Sequence, residues 1–86
     1  MMLMKKLIVK LHRGLQARHT VLFVRKVAVF KSEVVISKNG KTASGKDIMK
    51  IMDLVVKEGD EITLLIDGSD QQIAMETLKN YLLNIS

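Results

Sequence analysis

Gln16, Arg18 and His19 lie within four positions of one another, with His12 just upstream and Asp47 farther along the chain. Together they supply an amide, a guanidinium, two imidazoles and a carboxylate. An imidazole nitrogen can accept a phosphoryl group and pass it on, and a neighbouring arginine can neutralise the phosphate's charge. Gln16 cannot take the covalent step, because its amide nitrogen has its lone pair delocalised into the carbonyl. It can still donate and accept hydrogen bonds. The segment carrying Gln16 runs into a helical pattern, and the free N–H groups of a helix start favour an anion. Covalent transfer would therefore need His12 or His19. Such transfer demands a closely placed nitrogen. A helix N-terminus also disfavours a cationic imidazole at His19. Both histidines read better as ordinary surface residues, and Gln16 reads equally as a polar helix cap or loop residue in water and as a partner contact, which are compatible.

Asp47 precedes a short helical pattern and is a good N-cap residue. Lys50 stands where a capping box would have glutamate, so the cap is a simple one. Ile48, Met49 and Met52 fall on one side of that helix, and methionine's flexible thioether suits contact with varied surfaces. Ile51 and Leu54 are expected in the core. No His, Cys or carboxylate spacing suits a metal. Gly40-Lys41-Thr42 lacks the preceding glycine of a P-loop, and no serine sits in a nucleophile motif. No cofactor is expected.

The elements that must position these groups follow from periodicity. Leu7, Val9 and Leu11 alternate with Lys6, Ile8 and Lys10, the pattern of a half-buried strand. His12 to Gln16 is a loop. From Ala17 to Phe30, Thr20, Phe23, Val24 and Val27 follow helical spacing. Glu33 to Lys38 is a strand with Val34 and Ile36 on one face. Asn39-Gly40 marks a two-residue hairpin turn, with Lys41 to Gly45 as the return strand. Asp47 to Val56 is a short helix and Glu61 to Asp67 a strand. Asp70 to Asn84 is a last amphipathic helix using Ala74, Leu78 and Leu82. Helices that bury apolar stripes are accommodated simply by a sheet with helices on one face.

Eighty-six residues, 48% of them hydrophobic, with mixed charge, make one globular domain over residues 1–86. The absence of cysteine rules out a disulfide framework and suits a reducing, cytoplasmic setting. The net charge of +5 forms no dense run and there is no tryptophan, so direct nucleic-acid binding is not indicated. No stretch has the length of a signal-peptide core or a membrane span.

Gly14, Leu15, Gln16, Ala17, Arg18 and His19 resemble the active-site loop of the HPr phosphocarrier family of the bacterial sugar phosphotransferase system, Gly-Leu-His-Ala-Arg-Pro. Gly40, Lys41 and Thr42, followed by Lys46, Asp47, Ile48, Met49, Ile51, Met52 and Leu54, resemble its regulatory-serine segment. Gly59 to Ile62 and Asp67 to Asp70 make a third match, and the three blocks keep their spacing without gaps. The glutamine in place of the active histidine marks the Crh-like, catabolite-repression branch, which keeps the serine. This chain has Gln16 and Asp47 at those two positions, with His19 for the family's proline and Val55 for its usual glycine.

The resemblance implies an α+β fold, an open-faced sandwich. Its four-stranded antiparallel sheet has the order 1-4-2-3, and three helices lie on one face. It also implies docking of phosphotransferase-system proteins, and of a sugar-responsive LacI-type repressor, on one patch beside the loop made by Gln16, Arg18, Val21, Asp47, Ile48, Met49 and Met52, with an apolar centre and a polar rim as in a modest protein interface. Asp47 would then either cap its helix or imitate phosphoserine as well, with less charge and shorter reach. In that sheet order Ile8, Leu65 and Val35 are expected as neighbours on the open face. They are either singly exposed apolar residues or a weak self-association surface, giving a monomer or a weak homodimer.

Overall fold

The computed structural model describes residues 1–85. Its elements run β1 (Leu3–Ile8), α1 (Arg18–Ala28), β2 (Glu33–Lys38), β3 (Lys41–Ser44), α2 (Ile48–Asp53), β4 (Glu61–Asp67) and α3 (Gln71–Leu82). The strands form one antiparallel sheet in the order β1-β4-β2-β3, as expected. Side chains alternate across it. Val34, Ile36, Ala43, Ile62, Leu64 and Ile66 are buried under the helices, while Val35, Thr63 and Leu65 are half-buried on the other face. From the helical layer, Phe23, Val27, Ile51, Ala74, Leu78 and Leu82 complete the core.

β2 and β4 have the bounds that the alternation predicts. β1 begins at Leu3, earlier than its apolar alternation suggests, because an edge strand leaves Met4, Lys5 and Lys6 exposed. Its last expected residues, Val9 and Leu11, lie beyond the strand but keep their buried side. α1 stops at Ala28, two residues short of Phe30, and its last turn carries Arg25 and Lys26, which suit the negative end of the helix dipole. Asn39 and Gly40 have φ of 51° and 81°, the paired positive angles of a tight hairpin turn between the partners Lys38 and Lys41.

α2 ends at Asp53, short of Val56. The chain breaks from the helix because Val55 adopts φ of 52°, a left-handed conformation costly for a β-branched residue. Lys38 holds this corner. Its Nζ donates to the Val55 carbonyl at 2.6 Å and pairs with Asp60 Oδ2 at 2.8 Å. Hydrogen bonding to Lys38, then to the Lys57 N–H, holds the Asp60 carboxyl below its usual range.

The first turn of α3 is tied to the segment after α1. The Asp70 carboxylate accepts from the Ser32 hydroxyl and from the N–H groups of Lys31 and Ser32. These bonds, the hydroxyl's foremost, lower the Asp70 pKa.

The open-face row differs from expectation. Leu65 pairs with Val35 on β2 and with Met4 on β1, whereas Ile8 lies opposite Glu61 at the far end. Alternation fixes which face a residue occupies; register decides its row, and the register here puts Met4 beside Leu65.

Candidate functional site

The loop before α1 is pinned from beneath. Leu15 is fully buried, and its N–H donates to the Val56 carbonyl at 2.9 Å, just past α2. Gly14 has φ of 65° and lies so close to this strand of chain that a Cβ would meet the Val56 oxygen at 2.3 Å. Only glycine fits there. With Leu15 anchored inward, Gln16, Ala17 and Arg18 are exposed at the surface.

The helix that follows has an unusual entrance. Ala17 holds the N-cap position with φ of 46° and ψ of −114°, and no side chain caps the first turn. Alanine is a poor N-cap, and such backbone angles cost on the order of 1–3 kcal/mol. The cap reading of Gln16 therefore does not hold for its side chain. Only its backbone carbonyl joins the turn, accepting from the His19 N–H at 3.0 Å. The amide is left for solvent or a partner. The first turn contains no acidic residue.

His19 is not the ordinary surface histidine that the sequence suggests. It is half-buried, and its Nδ1 lies 3.0 Å from the Gly14 carbonyl. A carbonyl only accepts, so Nδ1 is the donor of this bond. The ring meets Tyr81 of α3 edge-on, with centroids 6.4 Å apart, and the Tyr81 hydroxyl donates to the His19 carbonyl at 3.2 Å. Burial pushes the Tyr81 hydroxyl pKa up. Lys26 lies over the same tyrosine ring at 5.1 Å from its centroid. His19 thus ties the loop to α3. His12 is exposed, with Nδ1 3.7 Å from Glu58 Oε1.

Asp47 caps α2 as its sequence position predicts. Its Oδ1 accepts from the Lys50 N–H at 3.1 Å. Among the described residues its second oxygen has no hydrogen-bond partner. Met49 and Met52 are exposed, at 68% and 43%, and Val21 on α1 is exposed as well. Ile48 is half-buried and Ile51 and Leu54 are buried. α1 and α2 pack together, which brings Val21 into the layer that carries the methionines. The loop hangs on the chain beyond the C-terminal end of α2, while Asp47 stands at the N-terminal end, about 9 Å away along the helix.

Leu22 on α1 and Val55, just past α2, are two further exposed apolar residues outside that expected patch. The signal for Val55 was present in the sequence as a valine in a glycine's usual place. Nothing in the pattern of α1 singled out Leu22. Thr20, placed correctly on the buried side of α1, has its hydroxyl without a partner among the described residues. No group of three metal-ligating side chains occurs among the described residues, and no helix there is long and apolar enough to cross a membrane.

The family model for the phosphorylation site of the phosphotransferase-system HPr component matches residues 3–84. The HPr-like protein Crh of Halalkalibacterium halodurans is 47% identical over 77 residues, which span 90% of this chain and 92% of that relative. The crystal structure of HPr from Bacillus anthracis superposes with a TM-score of 0.92 at 42% identity, over 94% of this chain and 96% of the other. The crystal structure of Bacillus subtilis Crh, described as a dimer with a swapping domain, superposes with a TM-score of 0.80 at 41% identity, over 95% and 94% of the two chains. A sheet ordered β1-β4-β2-β3, a glycine-pinned loop opening the first helix and an aspartate opening the second thus coincide with kinship along nearly the whole length, and the chain belongs to the HPr-like family of the phosphotransferase system, in its Crh-like branch.

Proposed function

We propose that this chain is a regulatory docking module of carbon catabolite control that binds partner proteins without carrying a phosphoryl group. Its partners are phosphotransferase-system components and a LacI-type catabolite repressor in the cytoplasm. Contact is made by Gln16, Arg18, Val21, Asp47, Ile48, Met49 and Met52. The observation that carries this reading is the state of Asp47. One carboxylate oxygen caps α2 while the other is unused among the described residues, beside two exposed methionines. A cap of that kind offers a carboxylate where a phosphoserine would stand in the family, with no phosphorylation step needed. The similarity to Crh proteins supports the same assignment.

Covalent transfer has weak support. Gln16 offers no nucleophile, His12 is exposed, and the His19 ring is committed to Gly14 and Tyr81. Incubation with phosphoenolpyruvate and enzyme I should leave no acid-labile phosphoryl group, and label on His19 would overturn the non-carrier reading.

Asparagine separates the two roles of Asp47, because it caps as well as aspartate but has no charge. Titration of a LacI-type repressor from the same organism should show weaker binding for Asp47→Asn by about fivefold, equivalent to about 1 kcal/mol. Its thermal midpoint should stay near the parent's. Parent-like repressor affinity in this variant, or no repressor binding by the parent, would refute the mimicry.

A further inference from the structure

We infer that Met49 and Met52 form a reversible oxidation site, at which hydrogen peroxide converts both thioethers to sulfoxides and switches docking off; this rests on the docking role proposed above. With no cysteine in the chain, its six sulfur atoms are all methionine thioethers. Met75 is shut in the core, at 9% exposure. Met1, Met2 and Met4 are open but lie in or before β1. Only Met49 and Met52 combine exposure with a place on the helical layer beside Asp47.

Their spacing makes the pair one site. Residues three apart on a helix share a face, with Cβ atoms about 5–6 Å apart. Ile51, between them, is fully buried and holds that face of α2 outward. A thioether needs no deprotonation to react. One sulfur lone pair attacks a peroxide oxygen, the O–O bond breaks, and the sulfur keeps that oxygen. The other oxygen leaves as water with both protons. Sulfur is oxidised by two electrons and the peroxide is reduced by the same two, once at each methionine.

The product alters the patch and spares the fold. A flexible apolar side chain becomes a polar one with a strong acceptor oxygen. In the free chain water hydrates that oxygen, because both positions face solvent. A partner closing on the patch strips the water away, and an acceptor buried without a donor opposes docking. The neighbouring Asp47 carboxylate adds another acceptor and no donor. Reversibility also has a place to act here. A phosphoserine is switched off by cleavage of its phosphoester, and Asp47 has no such bond. Sulfoxides, by contrast, are undone by reductases: two thiols return the thioether and leave a disulfide and water.

The full chain is treated with graded hydrogen peroxide, quenched with catalase, mapped by peptide mass spectrometry and then titrated with a LacI-type repressor from the same organism. Met49 and Met52 should each gain one oxygen about tenfold faster than Met75, or more. At a dose that leaves Met75 unmodified, repressor binding should weaken about tenfold or more, while the thermal midpoint stays near that of untreated chain. The two methionine sulfoxide reductases, one for each epimer, with dithiothreitol should restore affinity to within about twofold. The double variant Met49→Leu, Met52→Leu keeps the other four methionines. Compared with its own untreated form, it should show no effect of peroxide on binding. Unchanged binding once both thioethers are oxidised, oxidation of Met75 as fast as theirs, or an equal loss in the double variant would each overturn the inference. A parent that fails to bind repressor before any peroxide is added would refute the docking role itself, and the switch with it.

Discussion

Glycine and alanine at position 55 measure the strain that ends α2. Val55 has φ of 52° and its carbonyl is fixed by Lys38 Nζ at 2.6 Å, so the backbone cannot turn away without breaking that bond. A left-handed residue with a Cβ pays about 1–2 kcal/mol. Glycine escapes this cost but gives up about 0.4–1 kcal/mol through its freer unfolded chain. Both variants discard the half-hidden valine side chain, so packing cancels between them. Val55→Gly should therefore be more stable than Val55→Ala by about 0.5–1 kcal/mol. In an ordinary helix position the order is the reverse, by about 1 kcal/mol. For a domain of this size the difference is a rise of about 2–8 °C in Tm of the glycine variant over the alanine variant. Thermal unfolding followed by circular dichroism reads it directly. An alanine variant as stable as the glycine one would refute the left-handed assignment and, with it, this account of why α2 stops.

Thr20→Val, which removes a buried hydroxyl lacking a partner and keeps the side chain's shape, should raise stability by about 1 kcal/mol in urea denaturation. His19→Ala should lower stability by about 1–2 kcal/mol, from the lost bond to Gly14 and the lost edge contact with Tyr81, and should sharpen hydrogen–deuterium exchange at the loop. Acid should weaken the fold through Asp60 and Asp70. Both carboxyls lie below their usual value of 3.8 in the folded chain, so their contribution is complete above that pH and is lost as pH falls through the lower folded values. The urea midpoint should fall below about pH 4, and Asp70→Asn should flatten that dependence.

Much of this architecture is legible in the sequence because burial is local in its signature. β2 and β4 alternate cleanly, since both are central strands with one face on the core. The helical stripes of α1 and α3 are equally plain. Asn39-Gly40 fixes its turn by chemistry that no tertiary contact overrides. β1 is harder: an edge strand exposes Lys5 and Lys6 to water, and its pattern dissolves where the strand begins. The open-face row is not legible at Ile8, because residues of one face look alike until register assigns them partners. In the site, Asp47 is readable as a cap, since capping depends on neighbours in sequence. The ring of His19 is not readable. Its partners, Gly14 and Tyr81, become neighbours only when the loop folds back and α3 arrives.

The sheet order carries a consequence for synthesis. β4 is the last strand to be made, yet it lies between β1 and β2. As the chain leaves the ribosome, β2 and β3 can close their hairpin at once, but β1 emerges first and has no edge to join. A nascent chain halted before residue 61 would carry a lone first strand with both of its edges bare. Completion of β4 admits β1 and the hairpin together, which makes assembly of the sheet a late, single event in the life of each molecule.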